Sequence, residues 1–287
     1  MAIGNAIETR GNCPSVHLLE EICNLLFHIH AELGEESSSG RKERLILLRE
    51  SLHAAKIQFC KDWKARIVFL AYSYERFEKY TVEYYRALDA EEDMDIYLLP
   101  VPYGYKNVRG ELRDRLYEGE LFAKRYPILD YENLNLHTLQ ADIIVSPTAF
   151  DHVNPVFSLD PFYDTKKIKA FTPNLLYLPD FIVRDAKEEE DKALYNQRYY
   201  MPLPGIAHCD YSIFPKEETV EAYFQYWKKN VLSTKEANTY GKKVKKKLLS
   251  LEKIGNCFGI EPVDKTALIA KLFWTIVEQM YFNETEN

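Results

Sequence analysis

Three polar residues stand together in the stretch Phe150-Asp151-His152-Val153-Asn154-Pro155, and a fourth, Asp180, follows the run Leu175-Leu176-Tyr177-Leu178-Pro179. Each stretch comes just after a short apolar segment that reads as a buried strand. A carboxylate or imidazole at the carboxyl end of a parallel strand is placed to take a proton from an attacking hydroxyl. Asp151, His152 and Asp180 are therefore the candidate acid/base set, and Asn154 and Tyr177 are candidates for orienting a substrate. Plainer roles compete for the same residues. Asp151 and Asn154 suit turn caps around Pro155, and the His152 ring suits a bond to a backbone carbonyl. The sequence holds no recognisable Ser-His-Asp or Cys-His arrangement for covalent catalysis.

The elements that must position these residues read as an α/β fold. Asp142-Ile143-Ile144-Val145 and Asn174-Leu175-Leu176-Tyr177-Leu178 are short, rich in branched or aromatic side chains and stopped by Pro147 and Pro179. Between them Asp164-Thr165 caps a helix over 166–171. Strand, crossover helix, strand is the unit of a parallel sheet. The same unit opens earlier, with a strand at 65–71, a helix over 74–90 and a strand at 94–101. Residues 102–125 read as a long polar connection, and 126–131 as a further short strand. Ahead of the sheet, stripes at 16–33 and 41–62 predict two helices paired as a hairpin. Beyond residue 184 the pattern predicts a charged helix at 185–196, a strand at 209–215, and helices at 216–227 and 262–281. The predicted organisation is a helical hairpin over 1–63, a Rossmann-like, mostly parallel α/β domain over 64–232, and a helical segment over 233–287 packing back on that domain.

Composition narrows the function classes. At 287 residues with a 46% hydrophobic fraction, the chain can bury a real core. A net charge of −7 argues against a general nucleic-acid binder. The five cysteines form no CxxC pair, so neither a zinc site nor a disulfide framework is expected. The turn after the first strand, Tyr72-Ser73-Tyr74, has no glycine, which removes the dinucleotide fingerprint and the phosphate loop. No cofactor or metal is expected. Lys242-Lys243-Val244-Lys245-Lys246-Lys247 reads either as a solvated helix face or as a peripheral contact with an anionic membrane or polymer surface. The reading favours a cytoplasmic protein, at the inner face of the membrane if that contact is made. The oligomeric state is left open.

Several stretches in order resemble one family. They are Ala6-Ile7-Glu8, Leu18-Leu19-Glu20-Glu21-Ile22-Cys23, Ile67-Val68-Phe69-Leu70, Val101-Pro102-Tyr103 and Tyr117-Glu118-Gly119-Glu120-Leu121-Phe122. Phe150-Asp151-His152-Val153-Asn154, Ser158-Leu159-Asp160-Pro161-Phe162-Tyr163 and Leu176-Tyr177-Leu178-Pro179-Asp180-Phe181 follow at matching spacing. Together they resemble the CDP-glycerol glycerophosphotransferase-like proteins, related to the teichoic-acid polymerising enzymes, over roughly residues 6–230. The resemblance implies a GT-B arrangement of two Rossmann-like halves, of which this chain matches the N-terminal, acceptor-side half. It implies a nucleotide-activated glycerol or sugar donor, a cell-envelope polymer acceptor, and Tyr103 among the substrate-binding residues. Where the family's polymerases carry a histidine after the last strand of this half, the chain has Asp180. The other reading is a non-catalytic remnant that acts as a binding or interaction module.

Overall fold

The computed structural model describes residues 14–31, 38–181, 192, 195 and 198–282. The Ala6-Ile7-Glu8 stretch and most of the expected helix at 185–196 lie outside the described residues. The chain divides into two compact units, one up to Lys64 and one from Ala65 onward.

The first unit is a helical hairpin, α1 (Pro14–Ala31) and α2 (Ser38–Asp62). The Ser15 amide donates to the Asp62 carboxylate at 2.8 Å, so the start of α1 meets the end of α2 and the pair is antiparallel. Val16, Ile22 and Ala55 are buried. Leu45-Ile46-Leu47-Leu48 runs around more than one turn of α2, so it cannot all face α1. Leu45, Ile46 and Leu47 are accordingly exposed.

The second unit is built on a six-stranded parallel sheet of Rossmann-like α/β type. In chain order its strands are β1 (Ala65–Ala71), β2 (Met94–Pro100), β5 (Ile143–Ser146), β7 (Asn174–Tyr177), β8 (Tyr211–Phe214) and β9 (Leu248–Ser250). They lie in the order β2-β1-β5-β7-β8-β9. The register runs from Ala65 opposite Met94 to Ala71 opposite Pro100, and Val68 lies opposite Ile144 on the other side. Because both faces are covered, the central strands carry continuous apolar runs, such as Ile67–Ala71 and Ile143–Val145, rather than alternating. Ile67, Phe69, Ile143, Val145 and Leu176 point to one core, and Val68, Leu70, Ile144, Leu175 and Tyr177 to the other.

Different helices close the two faces. α3 (Val82–Asp89) and the long C-terminal helix Lys265–Phe282 cover the first, which buries Leu88, Ile269, Leu272, Phe273 and Ile276. The helix Glu217–Asn230 covers the second through Tyr223, Phe224 and the fully buried Trp227. A short helical turn, Tyr74–Arg76, and a π-type turn, Phe77–Thr81, lead into α3. Among the described residues no helix is long and apolar enough to cross a membrane.

Three stretches differ from expectation, the first being β9, a strand inside the segment 233–287 that the sequence reads as helical. The polar connection holds a hairpin, β3 (Tyr103–Lys106) and β4 (Leu112–Leu116). With β6 (Phe157–Leu159) it forms a three-stranded antiparallel sheet. Every residue of β4 is exposed, so it carries no hydrophobic pattern to read. Its turn is set by Asn107, whose side chain accepts from the amides of Arg109 and Glu111, and by Gly110 at φ +81°. The expected strand at 126–131 forms only a single bridge, Leu98 to Ile128. Pro127 lacks an amide donor for a ladder. Asp130 then bends the chain by accepting from Glu132 and Asn133.

Candidate functional site

β1 is the point where the sheet changes direction. The chain passes from β1 to β2 on one side, and β5 joins β1 on the other. The carboxyl ends of strands flanking such a switch leave a crevice in which α/β proteins bind ligands. Here the crevice receives Tyr72 directly after β1 and Asp180 three residues after β7.

The Tyr72 hydroxyl donates to Asp180 Oδ2 at 2.5 Å. Arg76, one helical turn further on, places Nη1 at 3.4 Å from the same oxygen and donates to the Asp180 backbone carbonyl at 3.3 Å. The Asp180 side chain is 5% exposed and that of Arg76 is 49% exposed. The carboxylate is therefore enclosed, while the guanidinium reaches from it to solvent. Burial raises the Asp180 carboxyl above its ordinary range, against the lowering pull of the Tyr72 hydroxyl and the Arg76 charge. Burial and the neighbouring carboxylate likewise push the Tyr72 hydroxyl up, so it stays protonated and acts as a donor.

Aromatic rings pack behind Tyr72. The Tyr72 ring lies 5.2 Å from Tyr103 and 4.8 Å from Phe157, centroid to centroid. The Tyr103 hydroxyl donates to Glu118 Oε1 at 2.5 Å, and Glu118 Oε2 accepts the Tyr74 amide at 2.7 Å. Glu118 thus ties the turn after β1 to the antiparallel sheet. The Tyr177 hydroxyl is buried and has no hydrogen-bond partner among the described residues. Asp180 and Tyr72 are among the groups whose charge acts on it, which places it within electrostatic range of the same cluster. An enclosed hydroxyl without a partner is unusual in a folded protein.

The structure gathers three of the sequence candidates, Asp180, Tyr177 and Tyr103, around this crevice. The other three belong to a separate arrangement. Asp151 sits at φ +46°, and its carboxylate accepts the Thr165 amide at 2.8 Å and the Thr165 hydroxyl at 2.7 Å. His208 Nδ1 lies 3.0 Å from that hydroxyl and 3.5 Å from the Asp151 carboxylate. Asp151 therefore anchors one loop to the helix Thr165–Ile168. Asn154 Oδ1 accepts the amides of Val156 and Phe157, which shapes the turn into β6. The His152 ring is exposed on the 3-10 turn Asp151–Val153, and its carbonyl accepts Lys106 Nζ at 2.6 Å.

Sequence reasoning did not single out Tyr72, Arg76 or Glu118. Tyr72 and Arg76 had a usable signal, because they follow the strand from which the sheet starts. Glu118 had none beyond its place in the Tyr117-Glu118-Gly119 stretch. Among the described residues no group of three histidines, cysteines or carboxylates is arranged to hold a metal ion. Comparison of the chain with family models, with curated proteins and with solved structures finds no match.

Proposed function

We propose that this α/β domain binds the acceptor of a group-transfer reaction of the CDP-glycerol glycerophosphotransferase type, with Asp180 as the base. The observation that carries the reading is the enclosed Asp180 carboxylate, held by Tyr72 and bridged to solvent by Arg76. A raised carboxyl pKa brings a carboxylate nearer the pH at which it exchanges protons with a hydroxyl group in flight. In the proposed step the acceptor hydroxyl oxygen attacks the phosphorus of the donor, and the bond from phosphorus to the nucleoside monophosphate breaks. The hydroxyl proton passes to Asp180. Arg76 offers positive charge to the transferring phosphoryl oxygens, the part a guanidinium plays well through its paired donors. Tyr72 keeps Asp180 oriented, and the Tyr103 ring packs against Tyr72 while its hydroxyl holds Glu118. The acceptor class in this reading is a cell-envelope polymer at the cytoplasmic face of the membrane.

A second reading rests on the same contacts. Tyr72 and Arg76 also tie β1 to the end of β7, which suits a binding module without turnover. The test is transfer of radiolabelled glycerol phosphate from CDP-glycerol to a lipid-linked acceptor, together with acceptor binding measured separately. The expected result is transfer that falls about 100-fold or more in Asp180→Ala. Saturable acceptor binding without transfer supports the binding module, and absence of both overturns both readings.

A further inference from the structure

The lysine run that leads into β9 is divided by the fold. Lys242, Lys245 and Lys246 lie at i, i+3 and i+4 on the helix Thr234–Lys246, so they share one face. That face, with Lys253 from the helix Leu251–Phe258, lines a cleft of about 360 Å³. Its floor is apolar, formed by Val220, Phe224 and Leu248. Lys247 points elsewhere, its ammonium donating to the carbonyls of Ala207 and Cys209 at 3.0 and 2.8 Å. Lys243 does not line the cleft.

The charge within the cleft runs against that of the chain. Glu221 pairs with Lys245 at 2.7 Å, and Glu217 lies 3.9 Å from Lys253. Lys242 and Lys246 have no ion-pair partner among the described residues, so the cleft keeps two uncompensated ammonium groups in a protein of net charge −7. A solvated helix face would need neither the concavity nor the apolar floor. Val220, Phe224 and Leu248 are buried residues that reach the cleft only in part, so they offer a small apolar ledge beside the ammonium groups, and the volume falls in the range of small-molecule pockets.

We propose that this cleft binds an organic phosphate, its phosphate between Lys242 and Lys246 and its organic body on Val220, Phe224 and Leu248. It shares no residue with the Asp180 crevice and does not depend on the function proposed for it. The chemistry is common to a soluble nucleoside monophosphate and to the headgroup of an anionic phospholipid.

The experiment measures binding of adenosine 5′-monophosphate to the full chain by calorimetry. It also measures sedimentation with vesicles of phosphatidylcholine doped with phosphatidylglycerol, against pure phosphatidylcholine. Adenosine is the control without phosphate. The double variant Lys242→Gln/Lys246→Gln changes exposed side chains only, and Lys243→Gln controls for general charge. The expected result is binding weakened about tenfold or more in the double variant and at most about twofold in Lys243→Gln. Binding of the nucleotide with this pattern identifies a soluble occupant, and binding of the doped vesicles alone with this pattern identifies a headgroup. Failure of both probes, equal binding of adenosine, or equal losses in Lys243→Gln overturns the proposal.

Discussion

Tyr72 and Asp180, 108 residues apart in sequence, meet through a 2.5 Å hydrogen bond across the mouth of the sheet. The bond joins the residue directly after β1 to the loop that leaves β7, so it fixes the crevice as well as the carboxylate. It also sets how the protein should respond to acid.

The Asp180 carboxyl is raised in the folded chain, chiefly by burial. It therefore binds its proton more readily folded than unfolded. Its contribution to stability is fully present below the unfolded carboxyl value and is lost as pH rises through the folded value. Asp180→Asn has no such loss. The stability of Asp180→Asn relative to the parent chain should therefore increase from about pH 4 towards neutrality. Tyr72→Phe removes a donor that lowers the carboxyl and should move the loss to higher pH. Urea titrations across this range check both, and a relative stability of Asp180→Asn that falls with rising pH would overturn the assignment.

The Asp151 carboxylate is buried and takes two hydrogen bonds from Thr165. Thr165→Val removes the hydroxyl and leaves that oxygen facing only His208. The cost should be about 1–3 kcal/mol, the penalty for a buried acceptor that loses its donor. In the transfer assay Thr165→Val should retain activity in the folded fraction, because Asp151 anchors a loop rather than serving the crevice. Loss of turnover without loss of stability would move Asp151 into the reacting site.

How far the sequence could be read followed from where each signal lay. β1 was legible because Ile67–Ala71 is apolar on both faces, and only a strand covered on both sides needs that pattern. β4 was not, because Leu112–Leu116 is exposed throughout and its pairing depends on a turn made by Asn107 and Gly110. Asp180 could be found from its place after a strand. Tyr72 could not be joined to it, since a hydrogen bond over such a separation leaves no trace in local spacing. Asp151 looked catalytic on the same grounds as Asp180. Only the positions of Thr165 and His208 show that its carboxylate is already engaged.

Gly205 is the second residue of the helix Pro204–His208, where it crosses the loop after β5. Its amide donates to the Ala149 carbonyl at 3.0 Å. A Cβ at Gly205 would lie 2.4 Å from Ala149 Cα, against backbone that cannot rotate away. Gly205→Ala should therefore cost about 1–3 kcal/mol. The gain from reduced unfolded-state entropy, about 0.4–1 kcal/mol, does not offset it. A lower urea midpoint with an unchanged slope is the expected result. A variant as stable as the parent would show that the two segments are not so closely packed.

The C-terminal helix makes the last prediction. Phe273 is fully buried and stacks on Phe69 of β1 at 6.4 Å between centroids, and Phe69 in turn meets Tyr85 of α3 at 5.9 Å. These three rings connect the C-terminal helix, the central strand and the first crossover helix through one apolar core. Removing Phe273 from one end of this stack leaves a void against Phe69 that the sheet cannot collapse to fill, because β1 is held by β2 and β5 on either side. Phe273→Ala should cost about 3–5 kcal/mol. Phe258 sits just before this helix, is 47% exposed and lies under Lys271 Nζ at 4.4 Å. Phe258→Ala removes the same ring type from the surface and should cost about 0.5–1 kcal/mol, the scale of an exposed cation–π contact. Both variants are compared by denaturant unfolding of the full chain. If they lose the same stability, the C-terminal helix does not complete the core of the sheet, and the face of Ile67, Phe69 and Val145 must be closed in some other way.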